Sequence, residues 1–340
     1  MSDLSDDDTR RSRLLGVKLR TLVAEHTGRS PVPEPSAFAP GSALTVDGVA
    51  WVLLDDDPPR RLGAALAWTL RQGVDEVTVI ADVGTGVLAR RAAEFELPIA
   101  VWHAEQRTLL PAVPEPLVVP APAPVGHDAL RALIVEGGAR PLVEHGVLFG
   151  EVRGLEVCRV VDDASMEVTR LEVGVGAHDR EAFQMLHGDL PPAESLARIV
   201  AEVERHRAVG APQHPLNRLA AERFLRWRVE QDPSIVGAVA VAPAPPPVPR
   251  PNLKDPTPCV AWASPTTGPV TPETADTVVV VASGVDLDLI PYAADARLSA
   301  EQAGVGVERL VVVLPARDRV RILDELAAAL RRPVEFVTIG

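Results

Sequence analysis

Two stretches of this chain repeat one hydrophobic rhythm. Gly73 to Trp102 reads GVDEVTVIADVGTGVLARRAAEFELPIAVW, and Gly306 to Thr338 reads GVERLVVVLPARDRVRILDELAAALRRPVEFVT. Each has a β-branched run, an amphipathic segment of helical period and a second apolar run, which predicts strand, helix, strand. Aligning Val74 with Val307 and Pro98 with Pro333 gives offsets of 233 and 235 residues, so a two-residue difference in a connecting loop superposes them. A further apolar run precedes each copy, Trp51 to Leu54 and Thr277 to Ala282, followed by another segment of helical period. The pattern predicts an α/β chain with a βαβαβ half at either end. Such halves form parallel sheets, which present functional groups at the carboxyl ends of their strands.

The remaining punctuation divides the chain further. Residues 1–30 are an acidic tail and a helix with an apolar stripe of Leu14, Leu15, Val17, Leu19, Leu22 and Val23. The N-terminal half covers 41–105, and Leu109 to Val125, with six prolines, is an extended connector. Residues 127–235 form a middle segment. It opens with a helix from His127 to Glu136 that ends at Gly137-Gly138. Strands over Glu144 to Arg153, Leu155 to Val161 and Thr169 to Val175 follow as an antiparallel meander, with a turn at Asp162 to Ser165. Helices then run over Arg180 to Leu186, Pro192 to Arg207 and Leu216 to Gln231. The last of these shows an apolar face of Leu216, Leu219, Ala220, Phe224 and Trp227. A stiff proline-rich linker over 243–258 leads to the C-terminal half, 259–340.

Composition narrows the chemistry. With 46% hydrophobic residues in 340, a substantial core is available. The net charge of −13 disfavours nucleic-acid binding unless basic residues gather on one face. Lys18 and Lys254 are the only lysines, and arginine cannot serve as a general base or Schiff-base amine at neutral pH. Cys158 and Cys259 lack the number and spacing of a disulfide framework or zinc site and are expected to be reduced. No apolar run approaches the roughly 20 residues that span a bilayer, and the start lacks a signal peptide's basic-then-apolar order. A cytoplasmic protein with no membrane partner is expected. The N-terminal helix and the proline-rich linker are the surfaces available to a protein partner.

Candidate chemistry concentrates at strand ends. Asp55-Asp56-Asp57 follows the first apolar run, and Asp82 ends the next strand. Asp55, Asp57 and Asp82 there suit Mg²⁺, the one cofactor the acid pattern admits; equally, aspartates in such places cap the following helices. Asp55 and Asp57 also resemble the first motif of haloacid-dehalogenase-type phosphotransferases in their spacing, without that family's lysine or late acidic pair. Gly84, Thr85 and Gly86 form a strand-to-helix loop able to meet an anion, or serving tight geometry alone. The facing loops of the second copy are Ser283-Gly284 and Pro315 to Asp318, so the asymmetry directs a site to the N-terminal half. His178, His187, His206 and His214 lack metal-ligand spacing and read as surface residues.

The middle segment carries a more specific arrangement: a helix with Glu136, a strand with Glu156, a strand with Glu172 and a helix with Gln184. Over residues 127–190 this resembles PD-(D/E)XK nuclease domains. The resemblance implies Glu156 and Glu172 as the paired acids that hold a divalent metal and activate water. The family's lysine position is Gly174, so the segment is degenerate. The same residues, with Arg159 and Arg170, also make cross-strand charge pairs on a hairpin. The reading that results is a non-catalytic scaffold or binding module with a degenerate nuclease-like middle. Its alternative is an Mg²⁺-dependent enzyme acting on a small phosphorylated substrate at the strand ends of the N-terminal half.

Overall fold

The computed structural model describes residues 6–30, 32–36, 38–39, 41–163, 168–176, 179–181, 190–211, 214–250 and 257–340. It is an α/β protein in two compact units. One comprises 1–117, 285–295 and 319–334, and the other 118–284, 296–318 and 335–340. His178, Gln184, His187 and Lys254 lie outside the described residues.

The first unit begins with α1 (Asp6–Thr27) and continues through β1 (Gly41–Val46), β2 (Val49–Leu54), α2 (Leu62–Gln72), β3 (Glu76–Ala81), α3 (Thr85–Ala92), β4 (Ile99–Glu105) and β5 (Thr108–Pro111). Its sheet has the order β1-β2-β3-β4-β5. The β2, β3 and β4 strands are parallel, flanked by antiparallel β1 and β5. The β1–β2 turn is Asp47-Gly48 with φ of 52° and 82°, the left-handed pair that a two-residue hairpin turn requires. Leu19, Leu22 and Val23 of α1 are buried on Leu44, Trp51, Leu53 and Ile80 of the sheet. Leu14 and Val17 instead stand 61% and 57% exposed, so the buried stripe of α1 is narrower than its sequence suggests.

The second unit contains α4 (Arg131–Glu136), β6 (Arg140–Glu144), β7 (Val147–Val152), β8 (Leu155–Asp163), β9 (Val168–Val173), α5 (Pro192–His206) and α6 (Ala221–Gln231). Beyond these come β10 (Ala240–Ala244), β11 (Cys259–Ser264), β12 (Thr277–Val281), α7 (Leu289–Gln302), β13 (Arg309–Pro315), α8 (Arg321–Ala328) and β14 (Glu335–Ile339); α8 and the first residues of α7 belong to the first unit. The predicted meander is present as the antiparallel sheet β6-β7-β8-β9. It has four strands because the expected strand Glu144 to Arg153 begins with a turn at His145-Gly146, both at positive φ, which pairs β7 with a further strand, β6, from the preceding residues. The last sheet is β10-β11-β12-β13-β14, with β12, β13 and β14 parallel.

The two terminal halves therefore form separate sheets that share a four-strand order, an antiparallel pair and then two further parallel strands joined through helices. The fifth strand lies at opposite edges, β5 beside β4 and β10 beside β11. Their registers agree as well. Val79 faces Val101 in the first and Val312 faces Phe336 in the second, displaced by the 233 and 235 residues of the sequence alignment. Within the first unit, Phe95 forms an isolated antiparallel bridge with Leu330, also 235 residues apart. Around it the Glu96 N–H donates to the Ala329 carbonyl (2.8 Å) and the Arg331 N–H to the Glu94 carbonyl (2.9 Å).

Several expected elements differ: the connector starts within β5, and the helix expected from His127 is a 3₁₀ turn (Val125–Leu130) before α4. The start of the proline-rich linker is edge strand β10, with Pro243 opposite Ala261. An edge strand tolerates proline because one side of its ladder needs no N–H donor. The helix expected over Leu216 to Gln231 breaks at Ala220, whose φ of 46° separates a 3₁₀ turn (Pro215–Arg218) from α6. Leu216 and Leu219 pack on the core of the middle sheet, as an apolar face should. On α6, however, the buried residues are Glu222, Arg223, Arg226 and Val229, while Phe224 and Trp227 stack on each other and receive Arg207 and Arg153 over their rings. Among the described residues no helix is long and apolar enough to cross a membrane.

Candidate functional site

The middle sheet brings Glu156 and Glu172 together, but around arginines. Glu156 on β8 is buried; it accepts from Arg159 Nε and Nη2 (2.8 and 3.0 Å), and Arg180 Nη1 lies 3.4 Å away. Arg180 Nε lies 3.4 Å from Glu172 on β9, so one guanidinium bridges both acids. Arg250 lies 3.6 Å from Glu156, and Arg170 donates to Glu172 at 3.1 Å. The four charges expected to pair across the hairpin instead pair along their strands, Glu156 with Arg159 and Glu172 with Arg170, on a face where Glu156 is buried. The ion pair that crosses from β9 to β8 is Arg170 with Asp163 at 2.8 Å. The space between the two carboxylates holds a cation of the chain's own.

At the strand ends of the N-terminal half the acids are engaged as well. Asp55 accepts from Arg11 Nε at 2.8 Å, and Asp82 pairs with Lys18, both cations projecting from α1. Asp57 adopts a left-handed φ of 47° at the start of the 3₁₀ turn Pro58–Arg60, and its nearest cation is Arg60 at 3.9 Å. Asp55, Asp57 and Asp82 thus do not converge on a common point. Among the described residues no group of three or more His, Cys, Asp or Glu is arranged to hold a metal ion.

Gly84 and Gly86, on either side of Thr85, are glycines for packing. A Cβ on Gly84 would lie 2.3 Å from Pro59 Cγ, and one on Gly86 2.7 Å from Glu115 Cβ. Neighbouring chain therefore covers the loop that the sequence offers to an anion.

The C-terminal half treats the same strand ends differently. Ser283-Gly284 follows β12 and Arg317-Asp318 follows β13, at the carboxyl ends of adjacent parallel strands. Gly284 takes a φ of 87°, a left-handed conformation that glycine adopts without strain, and its N–H donates to Asp318 Oδ2 at 2.7 Å, tying the two loops together. Together with Arg218 and Glu222, from the segment leading into α6, these four residues line a cleft of about 230 Å³. Glu222 is 2% exposed and Asp318 8%, whereas Arg317 has a side chain 83% exposed. Burial pushes the Glu222 carboxyl above its ordinary range, against the pull of its own backbone N–H and of Arg223. The cleft thus has two carboxyls within and two guanidinium groups at its mouth. The 283–284 and 315–318 loops were visible in the sequence, but their partners Arg218 and Glu222 come from a distant segment.

Neither cysteine is placed for nucleophilic chemistry. Burial drives the thiols of Cys158 and Cys259 up to about 12, so almost no thiolate forms at neutral pH. Both thiols of the native protein should stay unreactive toward a disulfide reagent at pH 8 and react together once urea unfolds the chain. A fast stoichiometric phase in the native protein would contradict this placement. His206 and His214 stack on each other at 3.8 Å, with His206 paired to Glu202. No protein-family model, curated protein or solved structure matches this chain.

Proposed function

We propose that this protein is a non-catalytic binding module built from two duplicated βαβαβ halves, with its ligand in the strand-end cleft of the C-terminal half. The observation that carries this reading is the contrast between equivalent strand ends. Asp55 and Asp82 are paired with cations of α1, whereas Ser283, Gly284, Arg317 and Asp318 line a cleft. Ligands of parallel sheets bind at such strand ends. The shared register offsets support duplication, as does the Phe95–Leu330 bridge, where equivalent positions bond reciprocally in the manner of an isologous contact. A degenerate nuclease-like ancestry for residues 127–190 is consistent with Arg180 between Glu156 and Glu172, since a carboxylate spent on a buried ion pair is a poor metal ligand. Two buried free thiols suit a cytoplasmic setting.

The charge arrangement indicates the ligand class: a small zwitterion such as an α-amino acid. Its carboxylate would meet Arg218 and Arg317 at the mouth, and its ammonium group Glu222 and Asp318 within. A thermal-shift series on the full chain tests this with a panel of α-amino acids, Mg²⁺ and a phosphomonoester. At least one amino acid should raise the midpoint, and the rise should vanish in the double variant Arg218→Ala with Arg317→Ala. Mg²⁺-dependent hydrolysis of the phosphomonoester or of DNA, lost on Asp55→Asn or Glu172→Gln, would sink the non-catalytic reading. An amino-acid response unchanged in the double variant would remove the site from this cleft.

A further inference from the structure

We infer that the first unit carries a separate nucleotide site in the arginine-lined groove along α2. The groove encloses about 440 Å³, within the range of roughly 300–1,000 Å³ typical of small-molecule sites. Arg60 and Arg61 stand at the entry to α2, and Trp68 and Arg71 follow about two and three helical turns on, with the small side chains of Ala64 and Ala67 between them. Phe38 meets Trp68 edge to face at 6.5 Å. The result is a shallow apolar floor with an aromatic pair, ringed by three guanidinium groups.

The charges there are incompletely neutralised. Arg71 is exposed and has no ion-pair partner among the described residues. Arg60 has only Asp57, at 3.9 Å, and Arg61 alone is closely paired, with Asp56 at 3.1 Å. Two carboxylates also line the groove: Asp288 is bonded to Arg91, and Asp286 accepts the Asp288 N–H at 2.9 Å while keeping its charge. In a chain of net charge −13, Arg71 without a counterion among the described residues and Arg60 with only a distant one are the two cations of the groove open to an anion. Guanidinium forks match phosphate oxygens bidentately, and an indole beside a phenyl ring offers a surface for a flat heterocycle. Phosphate and ring in one compact molecule describe a nucleoside phosphate. An acidic peptide would use the arginines and leave the aromatic pair without a role.

Isothermal titration of the full chain with ADP tests this, using adenosine and inorganic phosphate as the two part-ligands. ADP should bind more tightly than either part. Arg71→Ala, at an exposed position that folding does not depend on, should weaken ADP at least ten-fold. Trp68→Leu should weaken ADP and adenosine, leaving phosphate unchanged, and Arg198→Ala on α5 should change nothing. Absence of ADP binding, or binding indifferent to Arg71→Ala, would overturn the proposal. So would tripolyphosphate binding as tightly as ADP with no effect of Trp68→Leu, the behaviour of a plain basic patch. The groove shares no residue with the strand-end cleft, so either assignment can fail alone.

Discussion

Asp295→Asn should destabilise the protein by about 3–5 kcal/mol, the cost of leaving a buried charge without its counterion. Asp295 is fully buried on α7 and accepts from Arg90 Nε and Nη2 (2.9 and 3.1 Å) and from Arg91 Nε (2.6 Å). Arg91 is itself buried and also reaches Asp288 and the Pro59 carbonyl. Burial pulls the Arg91 guanidinium down, but Asp288 and Asp295 more than reverse this and hold it above its ordinary value. The amide keeps the shape of the carboxylate and removes its charge, so Arg90 is left with the Glu115 carbonyl and Arg91 with Asp288 as its one acid. Urea unfolding followed by circular dichroism reads the loss, and hydrogen exchange should rise in 85–95 and 285–295. The exposed pair Arg319–Asp324, joined at 2.8 Å, is the control, and Asp324→Asn should cost less than about 1 kcal/mol. Equal losses in the two variants would mean that Asp295 does not hold this cluster.

Glu151→Gln should cost a comparable amount, about 3–5 kcal/mol, for the same reason in the second unit. Glu151 on β7 accepts from Arg226 at 2.7 Å through both oxygens and from Arg223 at 3.3 Å. The network is already short of acceptors, since Arg223 Nε and Arg226 Nη1 are buried without a hydrogen-bond partner among the described residues. Burial would raise the Glu151 carboxyl, but the two guanidinium charges outweigh it and hold it below the ordinary 4.5. A carboxyl lowered in the folded state contributes stability that is complete above that ordinary value and is lost as pH falls through the folded one. The wild-type advantage over Glu151→Gln should therefore be full at pH 7 and shrink on acidification below 4.5. A difference that stays constant from pH 7 down to pH 3 would show that the charge of Glu151 is not what the arginines need.

Both clusters explain where residue patterns misdirect. In ARRAAEF, Arg90 and Arg91 read as the polar side of a short helix, and Asp295 reads as one acid in an alanine-rich segment. Each is interior because its counterion arrives from about 200 residues away. The same holds for α6, whose Phe224 and Trp227 suggest an apolar face, while acids on β6 and β7 make the Arg223 and Arg226 side the buried one. Arg207 shows the limit of this logic. It is fully buried and, among the described residues, has no carboxylate partner, donating instead to the carbonyls of Arg153, Leu216, Leu219 and Ala220, and burial lowers it to about 10.

Local pattern alone determined the α/β class, the two terminal strand–helix–strand series with their offsets, and the middle meander. Period 2 and period 3.6 are properties of neighbouring residues, and so are the turn glycines that separate them. The tertiary structure decided which charges are partners. Asp55 and Asp82 are closed by Arg11 and Lys18, Glu156 and Glu172 are bridged by Arg180, and the cleft at Ser283 and Asp318 takes its remaining wall from Arg218 and Glu222. An ion pair depends on two side chains meeting in space, and nothing in the sequence near one partner names the other. The sequence therefore displays the strand ends of both halves, and only the fold distinguishes those paired with α1 from those left lining a cleft.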